Sequence, residues 1–208
     1  MKPTTLLIII VMASFGCKKN NKSLPDDIEH TELQPPLQIT CVDSVVNHPS
    51  NCGMVLYPYD STAQISLDIN NDGVDDFIVK CESWYNTVSV SNPCSNHNST
   101  IQIYSTNPDN KVFKQYAGYP IIKKLVSNEE IGSTSLWYEG GFILSEGADM
   151  NGLQTDYNGD AFIGLRMKLG NEEHFGWMHI NKTDYLVIID SYGFNHTPNN
   201  SILAGQIN

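Results

Sequence analysis

The chain has 208 residues and carries 12 basic against 23 acidic side chains, a formal net charge of −11 at pH 7. An excess of that size repels phosphate backbones, so nucleic acid is excluded as a partner. With 40 % hydrophobic residues, the chain holds enough apolar surface for one globular domain, and its length does not demand a second.

Residues 1–16 place one cation, Lys2, ahead of an apolar stretch from Leu6 to Ala13 and then small residues. That is the layout of a secretory signal. The stretch is shorter than the roughly 20 apolar residues that a spanning helix needs. Ser14, Phe15, Gly16 and Cys17 resemble the bacterial lipobox, in which a small residue precedes an invariant cysteine. The resemblance implies that Cys17 becomes the acylated N-terminus of the mature protein. More than one acyl chain makes a stable membrane anchor. Lys18, rather than aspartate, follows the cysteine, and by resemblance to lipoprotein sorting this leans toward the outer membrane. Periplasmic and surface-facing orientations both fit.

Residues 17–37 are polar, charged and interrupted by Pro25, Pro35 and Pro36, the composition of a flexible tether. Lys18, Lys19 and Lys22 form a basic patch beside the anchor. It suits anionic head groups as well as it suits a solvated spacer. Residues 38–208 contain no further linker and are assigned to a single domain.

Of the five cysteines, Cys41, Cys52, Cys81 and Cys94 remain once Cys17 is assigned to lipid. An even remainder in an oxidising compartment reads as two disulfides, with three pairings open. Cys41 with Cys52 and Cys81 with Cys94 would close short loops and are favoured. The spacing of a zinc site is missing.

The domain reads as β. Ile65, Leu67 and Ile69 alternate, as do Phe77 with Val79 and Ile101 with Ile103, placing apolar side chains on one face at period two. The clearest strands span 162–169, 175–180 and 185–190, joined by Gly170-Asn171 and Asn181-Lys182 as turn material. Helical periodicity is nowhere sustained. The expectation is an all-β fold, an antiparallel β-sandwich or barrel-like body of about ten to twelve short strands.

Between two of these strands lies DINNDGVDDF, in which Asp68, Asn70, Asp72, Gly73 and Asp76 follow the spacing D-x-N-x-D-G-x-x-D. Calcium takes six to eight hard oxygen ligands, and alternate side chains of a loop converge on one point only where the chain turns sharply. The candidate ligands are Asp68, Asn70, Asp72, the carbonyl of Val74, and Asp76. The twelfth position is Val79, so the loop is not an EF-hand. It resembles the calcium-bearing turns of dockerin modules and integrin-like repeats, which implies a structural ion. A metal-free Asx-rich turn uses the same residue types. A second acidic segment, with Asp149, Asn151, Asp156, Asn158 and Asp160, lacks the glycine and reads first as a loop.

Among the six histidines, His174 and His179 fall an odd number of residues apart in one predicted strand. They therefore face opposite ways and do not share a metal. No serine elbow, HExxH run, phosphate loop or dinucleotide fingerprint occurs. The aromatic pairs Tyr57 with Tyr59, Trp84 with Tyr85 and Trp137 with Tyr138 are candidate sugar platforms, although packing is the commoner fate of aromatics in strands.

Residues 161–207, with strands like FIGLRM and HFGWMHI, the aromatic pair Tyr192 and Phe194, and a TP-x-x-x-I-x-AG close, resemble a C-terminal β module of exported bacterial proteins. The resemblance implies an exported β-domain and no chemistry. Within it, Trp177 is expected to lie across Gly164 if their strands pair. The functional expectation is a non-enzymatic, calcium-stabilised envelope lipoprotein that binds a glycan or an envelope protein. A polysaccharide hydrolase and an assembly or adhesion subunit are the alternatives.

Overall fold

A computed structural model describes residues 27–40, 61–86, 96–116, 119–144, 159–183 and 186–208. The described residues contain thirteen strands and no helix, in antiparallel sheets arranged like a sandwich. In chain order they are β1 (Ile28–Thr40), β2 (Ser61–Leu67), β3 (Phe77–Asn86), β4 (Asn96–Ser105), β5 (Lys111–Tyr116), β6 (Tyr119–Ile122) and β7 (Glu130–Ile131). There follow β8 (Trp137–Tyr138), β9 (Gly140–Leu144), β10 (Gly159–Leu169), β11 (Glu172–Lys182), β12 (Leu186–Asn195) and β13 (Ile202–Leu203).

One hydrogen-bonded path runs β1-β12-β11-β10-β5-β6-β9-β4-β3-β2, and β13 pairs separately with β7. The pairing is antiparallel except between β6 and β9. The path curls over so that β1, at one end, comes against β2 and β3 at the other. The main core lies between the two halves. Leu67, Phe77, Val79, Ile101 and Ile103 from β2 to β4 meet Ile163, Leu165, Met178, Ile180, Val187 and Ile189 from β10 to β12. The alternation in 65–69, 77–79 and 101–103 supplies one side of this core, because side chains of one parity share a face.

The opposite face of β10–β12 is covered too. Phe175, Trp177, Leu125, Ile131, Ile202 and Ala204 form a second cluster beneath the β7/β13 pair, with Phe162 and Trp137 packed against it. A sheet buried on both faces explains why β10 and β11 read as nearly continuous apolar runs. The β10-β11-β12 meander has the expected order, with Gly170 and Asn171 between Leu169 and Glu172.

Two expectations change. The composition extends the tether to residue 37, yet the packed body already includes Ile28, because β1 adds to the edge of β12 from Ile28↔Asn195 to Thr40↔Leu186. Pro35 and Pro36 mislead here. They occupy a bulge in an edge strand, where no ladder hydrogen bond is demanded of them. Gly164 does pair with Trp177, but the indole lies over Gly193 of β12. A Cβ there would come within 2.6 Å of the ring, whereas one on Gly164 would meet Phe113 and Ile131.

Candidate functional site

The loop from Asp68 to Asp76 connects β2 to β3 and is built from its own hydrogen bonds. The carboxylate of Asp68 accepts from the backbone N–H of Asp72 at 3.2 Å and of Gly73 at 2.7 Å. Asn70 Oδ1 accepts from Asp72 N–H at 3.0 Å, and Asp72 Oδ1 accepts from Val74 N–H at 2.8 Å. Gly73 has φ +87°, a conformation that costs a side-chain-bearing residue strain. Asp76 is buried, accepts from Ile69 N–H at 2.9 Å and from Asn110 Nδ2 at 3.3 Å, and so fastens the loop to the body. Burial pushes its carboxyl above the ordinary aspartate range, and the nearby charges of Asp68 and Asp72 push in the same direction against two backbone hydrogen bonds.

As arranged here, no three of the described His, Cys, Asp or Glu side chains are grouped to hold a metal ion. The donor chemistry nevertheless suits calcium: hard oxygens at alternate positions of a sharp turn. Asn71, between the candidate ligands, donates to Glu29 of β1 and accepts from the Tyr192 hydroxyl at 3.3 Å. Glu29 also takes a 2.8 Å hydrogen bond from His196 Nε2, which holds its carboxyl below the usual glutamate range.

The second site is a cleft of about 720 Å³ over the outer face of β1, β12, β11 and β10. Its floor is made by a bulge. Ser191 pairs with Glu32 on one side and His179 on the other, while the next pairs are formed by Ile189, so Asp190 is unpaired in both ladders: it is the extra residue against β11, and four residues of β1 stand opposite it on the other side. A bulge re-aims side chains. Here it turns the carboxylate of Asp190 to the imidazole of His179, whose Nδ1 lies 2.8 and 2.9 Å from the two oxygens. Ser191 Oγ donates to the same carboxylate at 2.7 Å. A carboxylate only accepts, so His179 carries its proton on Nδ1, and in the neutral ring Nε2 holds a lone pair. Its nearest acidic neighbour, Asp160, is 4.0 Å away, beyond hydrogen-bond reach.

Glu32, Ser191, His179 and Phe162 form one cross-strand rank, since each is paired in register with the next. Leu33, Gln34, Pro35 and Pro36, the residues of β1 looped out opposite Asp190, wall one side. Phe162, edge-on to Trp177 at 5.4 Å and 4.6 Å from His179, closes another with Gly205 and Ile207. His30 lies 5.6 Å from Trp177, and Trp177 Nε1 donates to Gln206 at 3.0 Å.

Of the sequence-derived candidates, the loop residues come together as a turn. His174 and His179 do face opposite ways: His174 is buried and donates to the carbonyl of Asn195 at 3.1 Å, while His179 lines the cleft. Trp137 is a packing residue, stacked on Phe175 at 5.8 Å and donating to Gly132 at 3.2 Å. Tyr138 is exposed with Lys114 over its ring. Asp160 accepts from Asn181, and Cys81 is fully buried in the main core. Cys17, Cys41, Cys52, Cys94, Tyr57, Tyr59, Asp149, Asn151, Asp156 and Asn158 lie outside the described residues, and the side chains of Trp84 and Tyr85 do too. Sequence reasoning missed Glu32, Asp190 and Ser191. A signal existed: the apolar phase of β12 slips between Ile189 and Tyr192, since both face the same core, and a slip of one residue marks a bulge.

The fold and sites define an all-β, sandwich-like protein with an Asx-turn loop on one side and a polar-floored cleft on another. No family model matches the chain. No curated protein and no solved structure matches it either.

Proposed function

We propose that the chain is an exported lipoprotein, acylated at Cys17 and held at the outer membrane, whose β body binds a ligand in the cleft over Asp190. The observation that carries the binding reading is the pinned imidazole of His179 inside a recess of ligand size. Small-molecule sites are concave, partly apolar and furnished with a few fixed polar groups, and the cleft has all three properties. Calcium in the 68–76 loop, held by the side chains of Asp68, Asn70, Asp72 and Asp76 and the carbonyl of Val74, stiffens the body. Cys41 with Cys52 and Cys81 with Cys94 form its disulfides.

Native mass spectrometry of the purified full-length protein, after incubation with a glycan and small-molecule extract of the bacterial envelope, tests binding. The wild type gains discrete added masses, and Gln34→Trp, which fills the cleft from an exposed position, does not. Equal uptake by both, or by neither, removes the binding reading. The anchor is tested separately: wild type enters the detergent phase on phase separation and Cys17→Ala stays in water.

Hydrolysis is the second reading, favoured by the carboxylate–imidazole pair, the arrangement that orients a water-activating base. Release of reducing ends from an envelope polysaccharide, abolished in His179→Phe, would put hydrolysis in place of binding.

A further inference from the structure

The ligand's chemistry follows from which hydrogen-bonding groups the cleft leaves unused. In the neutral ring His179 Nε2 offers a lone pair whose direction is fixed from behind by Asp190. Glu32 is exposed and has no hydrogen-bond or ion-pair partner among the described residues. Gln34 offers both an acceptor and donors, and His30 brings ring nitrogens to the same wall. Among the described residues that line it there is no lysine or arginine. A phosphate, sulfate or carboxylate group would therefore meet the charges of Glu32 and Asp190 with no described lysine or arginine in the lining to offset the repulsion.

Acceptors dominate the floor, so the ligand must donate; donors on the wall require that it accept as well. An ammonium only donates. A hydroxyl does both, and several hydroxyls on one ring reach Glu32 and His179 together, since these residues stand two strands apart, roughly 10 Å. The remaining walls, Phe162, Leu33, Pro35, Pro36 and Ile207, offer apolar surface to C–H faces. Trp177 is 2 % exposed and serves as a support under the wall rather than as a stacking platform.

We infer that the cleft is a site for a neutral saccharide of one or two rings, with one ligand hydroxyl donating to His179 Nε2 and another to Glu32, and that it discriminates against acidic sugars. This rests on the binding reading above and specifies its ligand.

Saturation-transfer NMR and calorimetry on the full-length protein in detergent provide the test. The probes are glucose, galactose, mannose, N-acetylglucosamine and their disaccharides, with glucuronate, glucose 6-phosphate and spermidine as charged counterparts. At least one neutral sugar binds, and its acidic counterpart binds at least tenfold more weakly. Glu32→Gln and His179→Phe each weaken the neutral sugar at least tenfold; the first is an exposed substitution that leaves folding intact, and the second keeps a ring against Phe162. Binding of spermidine alone, equal binding of acidic and neutral sugars, or binding of no sugar in the panel overturns the inference. If the envelope extract still yields cleft-dependent added masses that are not saccharides, the binding reading stands and this inference falls. If it yields none, both fall.

Discussion

The loop at 68–76 and the cleft over Asp190 are opposite kinds of site. Every candidate ligand of the loop lies within nine consecutive residues, and its hydrogen bonds mostly join positions two to seven apart. The cleft draws its lining from four strands and the C-terminal segment, and Glu32 meets Ser191 only because β1 is laid against β12. Local sites survive changes in the body around them, whereas assembled ones depend on register: a slip of one residue in β12 would turn His179's partner away.

The largest expected effect separates the two by sterics. Gly193→Val drives a side chain into the indole of Trp177, whose ring atoms stand 2.6 Å from the Cβ position, and costs about 3 kcal/mol by the overpacking mechanism. Gly73→Ala in the loop meets nothing within 4 Å and costs about 1 kcal/mol through backbone conformation alone. Urea unfolding of both variants reads the contrast, and equal losses would break it.

Next comes the ion. Calcium at a hundred times its dissociation constant stabilises by about 2.7 kcal/mol, so chelator lowers the melting temperature of the wild type and of His179→Phe but not of Asp68→Ala. A wild type indifferent to chelator would leave the loop as a metal-free turn.

Asn110 ties the loop to the sheet, donating to Asp76 and accepting from the N–H of Lys168 at 3.1 Å while almost fully buried. Asn110→Ala removes the partner of Asp76 Oδ1 and of the Lys168 N–H, while Asp76 Oδ2 keeps Ile69. It costs about 2 kcal/mol, measured by urea denaturation, and weakens the calcium response.

The smallest effect is electrostatic. Glu29 is held below its ordinary value of 4.5, chiefly by the His196 hydrogen bond. A depressed carboxyl contributes stability above its ordinary value and loses it as pH falls through the lowered one. Glu29→Gln is therefore less stable than wild type at neutral pH by under about 1 kcal/mol, since the pair is over one-third exposed. The difference disappears in acid. A gap that persists in acid melting curves would assign the role of Glu29 to packing.

Much of the fold was legible for the same reason as the loop. Alternation at 65–69, 77–79 and 101–103 named one side of the core, and the last meander was visible strand by strand. Composition failed at β1: three prolines among charged residues read as a tether, although Leu33, Leu37 and Ile39 were present to pack against the core. For His179, periodicity answers which way the ring faces and says nothing of its partner.

The amino-acid order by itself fixed the β class, the turn at Gly73 and the array of oxygens around it, because period-two burial and sharp turns are decided by neighbours a few residues apart. Only the tertiary structure decided that Asp190 would stand behind His179 with Glu32 in the same rank. That meeting required β1 to find β12 across more than 150 residues of chain, and the register of such a pairing is set by the packing of two cores on opposite faces of one sheet.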